Sequence, residues 1–299
     1  KLPNDDDWEQ VTLDQLRAWD WAAENPALLR QQKLDIALTT YSLPDKKVFR
    51  KNVKLAVDRG LSETDALAAL TTIPAKLFGV DKQLGTIEAG KIANLTIVDG
   101  KGYFDPESRV REVWVDGRNY HVQSAKEVAK KDDAENSEKE GKSKAEKEKK
   151  EAELKELQNK RVARSPMEGR GVIASPPAIL IRNATLWTCG SLSRVEQAHL
   201  VITNSRISYA GKSQTISGYV DVDPKGLVEF AGGGLHITPG LIDAHSHSAI
   251  LGGVNESTLP SSAMVRIGDV VNSETKNISE QLAGGLTSAN LLHGSANPI

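Results

Sequence analysis

The chain has 299 residues, 39% of them hydrophobic, and a formal net charge of −2. This length and composition permit a sizeable core or two domains, and the near-neutral charge gives no general attraction to nucleic acid or anionic membranes. The single cysteine, Cys189, excludes an internal disulfide. No apolar run approaches the roughly 20 residues of a membrane helix, so we expect no membrane partner. The balance of acidic and basic residues gives no support for a nucleic-acid partner.

Helix signals open the chain. Thr12–Gln15 has a capping-box pattern, Lys46–Arg59 has an amphipathic spacing, and Ser62 is suited to cap a helix that runs to Leu70. Between the first two signals, the short apolar run Leu34–Thr39 predicts a barrel strand.

Two groups of strands follow, one on each side of a charged stretch. The first lies within 84–122, where Asn94–Val98 and Val110–Val115 are predicted strands and Asp116-Gly117 is a hairpin turn. The second lies within 178–238. We hypothesise that the two groups join in one sandwich, because each lacks its own partner.

The charged stretch separates these groups. Between Lys126 and Arg164, 13 Lys/Arg and 11 Asp/Glu fill 24 of 39 positions, so the basic residues are balanced by acids. Such a segment buries too little apolar surface to offset its ordering entropy, although its Glu and Lys spacing also supports a solvated helix. We therefore predict a charged helical or disordered linker over 123–177.

The candidate site lies in the sequence Pro239–Ser248, where a turn leads into the apolar strand Leu241–Ala244. On a strand, residues i and i+2 point to the same face, so His245 and His247 are predicted to present both imidazoles to one divalent metal. Asp243 lies on that face as a partner that orients a histidine. A pair of solvated surface histidines is the alternative, and the buried strand before them favours the metal.

A second strand is predicted at Leu286–Leu292, and His293 follows it. At the C-terminal end of a parallel strand, His293 is a candidate for substrate contact, for shaping the loop or for binding metal. We prefer a substrate or loop role.

The sequence PGLIDAHSHS resembles the first-strand metal motif of the amidohydrolase superfamily, which comprises metal-dependent hydrolases built on a (β/α)8 barrel. Residues 66–99 resemble the end of such a protein, and residues 181–187, IRNATLW, resemble its start. The resemblance implies an α/β fold with pieces of a metal-hydrolase barrel and a small β-sandwich, in the tail of one unit and the head of another. We expect a fragment of a tandem, imidazolonepropionase-like protein. The implied domains are 1–78 (end of a first barrel), 79–122 (its sandwich strands), 123–177 (linker), 178–238 (sandwich strands of a second unit) and 239–299 (first strands of its barrel).

The resemblance also implies an activity. It is the hydrolysis of carbon–nitrogen bonds other than peptide bonds in a small molecule, by water activated on Zn²⁺ or another divalent metal such as Mn²⁺ or Fe²⁺. His245 and His247 would bind that metal. The remaining ligands and the catalytic Asp are expected outside the chain, so the chain alone is expected to be inactive. An oligomer is compatible with this, and the compartment, a bacterial cytoplasm or periplasm, stays open.

One position departs from the family pattern. Where active members carry an Asp after the last barrel strand, the alignment puts Tyr41. A phenol binds metal and accepts a proton less readily than a carboxylate at pH 7. The alternative function is therefore a catalytically degenerate binding or scaffold module.

Overall fold

The computed structural model describes residues 11–41, 43–124, 127, 152–153, 155–156, 178–212, 226–250, 254–255 and 266–294. The chain divides into one unit of residues 1–121 with 176–299 and a second unit of residues 122–175. We call residues 1–121 the N-terminal segment and residues 176–299 the C-terminal segment. The predicted linker over 123–177 lies almost entirely outside the described residues, so its helical or disordered state stays a prediction.

Helices dominate the start of the N-terminal segment. Thr12 Oγ1 accepts a hydrogen bond from Gln15 N at 3.3 Å, and Gln15 Oε1 accepts one from Thr12 N at 2.9 Å, which confirms the capping box. Ser62 Oγ accepts from Asp65 N at 3.0 Å, as predicted for a helix cap. Outside residues 122–175, the α-helices in the described residues are α1 (Leu13–Trp21), α2 (Asn25–Gln31), α3 (Phe49–Asp58), α4 (Glu63–Ala68), α5 (Thr72–Leu77) and α6 (Lys276–Ala283).

The strand predicted at Leu34–Thr39 is absent, so this prediction was wrong. Leu38 N donates to the carbonyl of Ala69, at the end of α4, over 3.0 Å. A helix end offers one acceptor but no strand edge, so the run forms no β-ladder.

The other predicted strands lie where the sequence places them, within a few residues. Asp116 and Gly117 both have positive φ, 51° and 70°, as a tight hairpin turn requires. In chain order the strands are β1 (Leu95–Val98), β2 (Val110–Val115), β3 (Arg118–His121), β4 (Ala178–Trp187), β5 (Arg194–Thr203), β6 (Arg206–Gly211), β7 (Leu227–Ala231), β8 (His236–Pro239), β9 (Leu241–Ser246) and β10 (Leu286–Leu291).

The first eight strands form one sheet in the order β3-β2-β1-β8-β4-β5-β6, with β7 also paired to β4. At the centre, β1 of the N-terminal segment runs antiparallel to β8 of the C-terminal segment, from Leu95 opposite Pro239 to Val98 opposite His236. The two groups of strands therefore join in one sheet, as we hypothesised. That this sheet is part of a sandwich stays a prediction.

Strand β4 pairs with both β7 and β8 because it bends. Its first half pairs with β7 and its second half with β8, and the register shifts between Ile181 and Ala184. Asn183, between them, has a positive φ of 60°. A bulge of this kind turns a strand locally, which brings β8 beside the second half of β4.

Both segments contribute to one hydrophobic core beneath the sheet. The N-terminal segment supplies Leu95 and Trp114, both 0% exposed, and the C-terminal segment supplies Leu186 and Leu200 at the same burial. Alternating inward side chains of neighbouring strands therefore pack across the boundary between the segments.

The site strand belongs to a separate βαβ unit. Strand β9 pairs in parallel with β10, and α6 lies between them in the chain. Ile242 N of β9 donates to Leu70 O at 2.8 Å, so the N-terminal segment borders β9 on its other side.

Arg50 on α3 fastens the loop between β1 and β2. Its guanidinium donates to the carbonyls of Tyr103 (3.0 and 2.6 Å), Asp105 (3.0 Å) and Ser108 (3.0 Å), and it lies 4.8 Å from the ring centroid of Tyr103. We expect Arg50→Ala to lower the free energy of unfolding by about 2–3 kcal/mol, because three backbone carbonyls lose their charged hydrogen-bond donor.

Urea unfolding of the full chain measures this loss. Lys54→Ala on the same helix is the control, since its ion pair with Asp58 is exposed and should contribute less than about 0.5 kcal/mol. Equal losses for the two variants would contradict a specific role for Arg50.

Candidate metal centre

The two predicted histidines come together at the end of β9. Strand alternation puts both side chains on one face, and the Nε2 atoms of His245 and His247 lie 3.3 Å apart. The ring centroids are 5.0 Å apart and the ring planes are nearly perpendicular, at 83°. The imidazoles therefore converge through their Nε2 atoms.

A backbone carbonyl fixes the protonation pattern of His247. Its Nδ1 lies 2.7 Å from Leu292 O, just beyond β10. Because a carbonyl only accepts, Nδ1 carries the hydrogen, and in the neutral ring Nε2 then presents a lone pair. The 3.3 Å contact between the Nε2 atoms is then a hydrogen bond that His245 Nε2–H donates to that lone pair.

This geometry fits a metal ion. Two imidazole nitrogens about 2.0–2.1 Å from a tetrahedral zinc ion lie about 3.3–3.4 Å from each other, and the observed Nε2 separation is 3.3 Å. The Nε2 separation is therefore compatible with two ligands of one tetrahedral metal ion. The hydrogen bond from the far nitrogen of His247 to a carbonyl is the usual support of a metal-binding histidine.

Tyr41 reaches the histidines from the N-terminal segment. Its ring stacks on that of His245, with centroids 4.2 Å apart and planes at 23°, and lies edge-on to His247 at 5.0 Å. Thr39 holds this arrangement, since its Oγ1 donates to His245 O at 2.8 Å and accepts from Tyr41 N at 3.1 Å. Tyr41 thus places an aromatic ring against the histidine pair.

The other predicted site residues are placed differently. Asp243 is 5% exposed, and its Oδ1 accepts from the backbone N of His245 at 3.2 Å, so it contacts the main chain and not an imidazole nitrogen in this arrangement. His293 Nδ1 lies 2.5 Å from the carbonyl of Gly294, which is a local contact within its loop.

Two serines and one glutamine side chain are hydrogen-bonded at the end of β9. Ser246 Oγ and Ser248 Oγ lie 2.8 Å apart, Ser248 N donates to Ser246 Oγ at 3.3 Å, and Gln281 of α6 donates to Ser248 Oγ. Both serines are 3% exposed. They fasten the histidine strand to α6, a role that sequence reasoning missed because the Gln281 contact spans 33 residues.

A cavity of about 800 Å³ adjoins the histidine strand. Thr39 and Asp243, which both contact His245, line it together with apolar side chains such as Leu70 and Ile242. Tyr103 also lines it, and burial raises the pKa of this phenol to about 12, so its hydroxyl stays protonated and donates to Gly284 O at 3.0 Å.

Within the described ranges, no group of three or more His, Cys, Asp or Glu side chains is arranged to hold a metal ion. A metal held by the histidine pair would therefore have two protein ligands there and would complete its coordination with water or with other groups. No helix in the part of the chain that the structure describes is long and apolar enough to cross a membrane.

Comparison with known proteins points to one family. The model of the amidohydrolase family matches residues 37–144, a range that includes Tyr41 and β1–β3 and excludes the histidine pair. A crystal structure of an amidohydrolase from Thermotoga maritima MSB8 is 32% identical over 33% of this chain, with a TM-score of 0.31. The chain spans 26% of the length of that protein.

Proposed function

This chain belongs to the amidohydrolase superfamily, and from that membership we propose that it carries the first metal-binding strand of a metal-dependent hydrolase of non-peptide carbon–nitrogen bonds. The observation that carries the proposal is the convergence of His245 Nε2 and His247 Nε2 at 3.3 Å. In this proposal β9, α6 and β10 begin a (β/α)8 barrel, and the shared sheet corresponds to the small β-sandwich beside it.

His245 and His247 would hold Zn²⁺, or Mn²⁺ or Fe²⁺. Paired imidazoles favour zinc over harder cations, which prefer oxygen ligands. When bound, the metal supplies Lewis acidity and lowers the pKa of a coordinated water toward about 7. Leu292 O orients His247, and the Tyr41 ring restricts His245.

The substrate we propose is a small molecule. The adjoining cavity, about 800 Å³, falls within the range of about 300–1,000 Å³ that is usual for small-molecule sites, and it is walled mainly by apolar groups. The chain offers no carboxylate at the Tyr41 position to accept a proton, so we propose that this chain alone binds metal without turnover.

Zinc titration tests the proposal. Full chain stripped with a chelator is titrated with zinc by calorimetry, and we expect one equivalent to bind with an affinity below that of three-ligand catalytic sites. Failure to bind any divalent metal would reject the proposal.

The alternative, a catalytically degenerate module, is favoured by one observation, the stacking of the Tyr41 ring on His245. The sequence resemblance implies a carboxylate at this position. The two functions would differ in a protein that combines this chain with a complete barrel. Hydrolysis of amides or cyclic carbon–nitrogen compounds by such a protein, loaded with metal, would support the enzyme. Metal binding without turnover would support the module.

We expect Tyr41 to support zinc affinity through its ring. Tyr41→Ala should weaken zinc binding about tenfold, because it removes the stacked ring that restricts His245, and Tyr41→Phe should leave binding almost unchanged. Tyr41→Asp should strengthen binding by adding a carboxylate near the pair. Competition with a chromogenic chelator measures all three, and equal effects of Ala and Phe would contradict the role of the ring.

A further inference from the structure

The two segments hold each other through contacts that do not involve the chain between them. We infer that residues 1–121 and 176–299 form a stable non-covalent pair, so that a break in the charged stretch leaves the folded unit intact. The partner of the C-terminal segment is the N-terminal segment itself. This inference goes beyond the proposed function and does not depend on metal binding.

Backbone hydrogen bonds carry the first part of the argument. Four residue pairs join β1 to β8, and Gly240 N extends the pairing to Asn94 O at 2.8 Å. A second line of contacts joins residues 87–93 to the C-terminal segment. Its bonds are Ile87 N to Thr188 O (2.8 Å), Gly90 N to Ile207 O (2.8 Å), Ile207 N to Lys91 O (2.9 Å) and Ala93 N to Ser205 O (2.9 Å).

The core provides most of the stability. Ile87, Leu95 and Trp114 of the N-terminal segment are 0% exposed, and they belong to the same cluster as Leu186 and Leu200 of the C-terminal segment. Separation of the segments would expose these side chains to water. Burial of each large apolar side chain is favourable, so the shared core opposes dissociation.

Side chains lock the βαβ unit to the same interface. Thr96 Oγ1, on a fully buried residue, donates to Gly285 O at 2.7 Å. Gly285 has a φ of +98°, and a Cβ there would lie 2.6 Å from Thr96 Cγ2, so the close approach requires glycine. Tyr103 and Thr39 add hydrogen bonds to Gly284 O and His245 O.

The connection between the segments adds comparatively little. It leaves β3 at His121 and returns at Ala178 of β4, and the sheet already holds these strands in place through β2, β1 and β8. Short flexible linkers supply an effective concentration on the order of millimolar, and this concentration falls as the linker lengthens.

Cleavage of the full chain at one engineered point tests the inference. Residues 140–146 are replaced by the recognition site of a sequence-specific protease, the purified chain is cut to completion, and chelator is present throughout. We expect one peak on size exclusion at micromolar concentration, with both pieces in it on a denaturing gel and an unchanged circular dichroism spectrum. Pieces that elute apart, or a C-terminal piece that precipitates, would overturn the inference.

A second variant tests whether the pairing seen here holds the pieces together. In the cut protein, Thr96→Val removes the hydrogen bond to Gly285 O at nearly constant volume, and we expect about tenfold weaker association by analytical ultracentrifugation. Thr203→Val is the matched control, since its hydroxyl contacts Ser208 within the C-terminal segment, and it should leave association unchanged. Equal effects of the two substitutions would contradict this interface. Because no metal is present, these outcomes are independent of the zinc titration.

Discussion

Replacement of His245 and His247 together by alanine is expected to abolish zinc binding by the full chain. The pair supplies both imidazole nitrogens of the proposed site, and within the described residues no third ligand accompanies them. A single replacement leaves one nitrogen, which is too little to compete with water for zinc at ordinary concentrations. Elemental analysis after dialysis, together with calorimetry, measures the loss.

Two other histidines serve as controls for this experiment. His121→Ala on the edge strand β3 should leave zinc binding unchanged. His293→Ala separates the roles considered for that residue, because it leaves zinc binding unchanged if His293 only shapes its loop, where its Nδ1 contacts Gly294 O. Retention of stoichiometric zinc by the double variant would place the metal elsewhere and reject the site.

Leu186→Ala is expected to lower the free energy of unfolding by about 2–5 kcal/mol, the range for truncation of a buried leucine. Leu186 is 0% exposed and lies opposite Ile237 of β8, next to the point where the two segments meet. The substitution removes transfer free energy and leaves a cavity that a paired sheet cannot collapse to fill. Such a loss is a large share of the stability of a typical domain.

Chemical denaturation followed by tryptophan fluorescence measures this effect, since Trp114 belongs to the same core. Leu192→Ala is the matched control, because Leu192 follows the same strand and is 52% exposed, and we expect a change within about 0.5 kcal/mol. A loss below about 1 kcal/mol for Leu186→Ala would contradict the shared core.

Much of the local structure could be predicted from the sequence. The capping box at Thr12, the turn at Asp116-Gly117 and the strand Val110–Val115 depend on residues within a few positions of one another. The same holds for the common face of His245 and His247, because strand alternation is a property of the backbone.

The wrong prediction at Leu34–Thr39 arose because tertiary contacts, and not local sequence, decide whether a strand forms. Leu34–Thr39 has the composition of a strand, but a strand needs an edge to pair with, and Leu38 meets the end of a helix instead. The assignment of 1–122 and 178–299 to two units of a tandem protein stays a prediction, while the structure packs most of both ranges into one unit.

The sequence by itself determined the helix caps, the hairpin, the alternation of the strands and the chemical identity of the histidine pair, because these follow from covalent geometry and near neighbours. Only the tertiary structure decided that β1 pairs with β8, that Leu292 O fixes the protonation of His247 and that Tyr41 stacks on His245. A backbone carbonyl has the same chemistry at every residue, and a ring contact between positions 41 and 245 leaves no local pattern. Such contacts exist only once packing brings distant segments together.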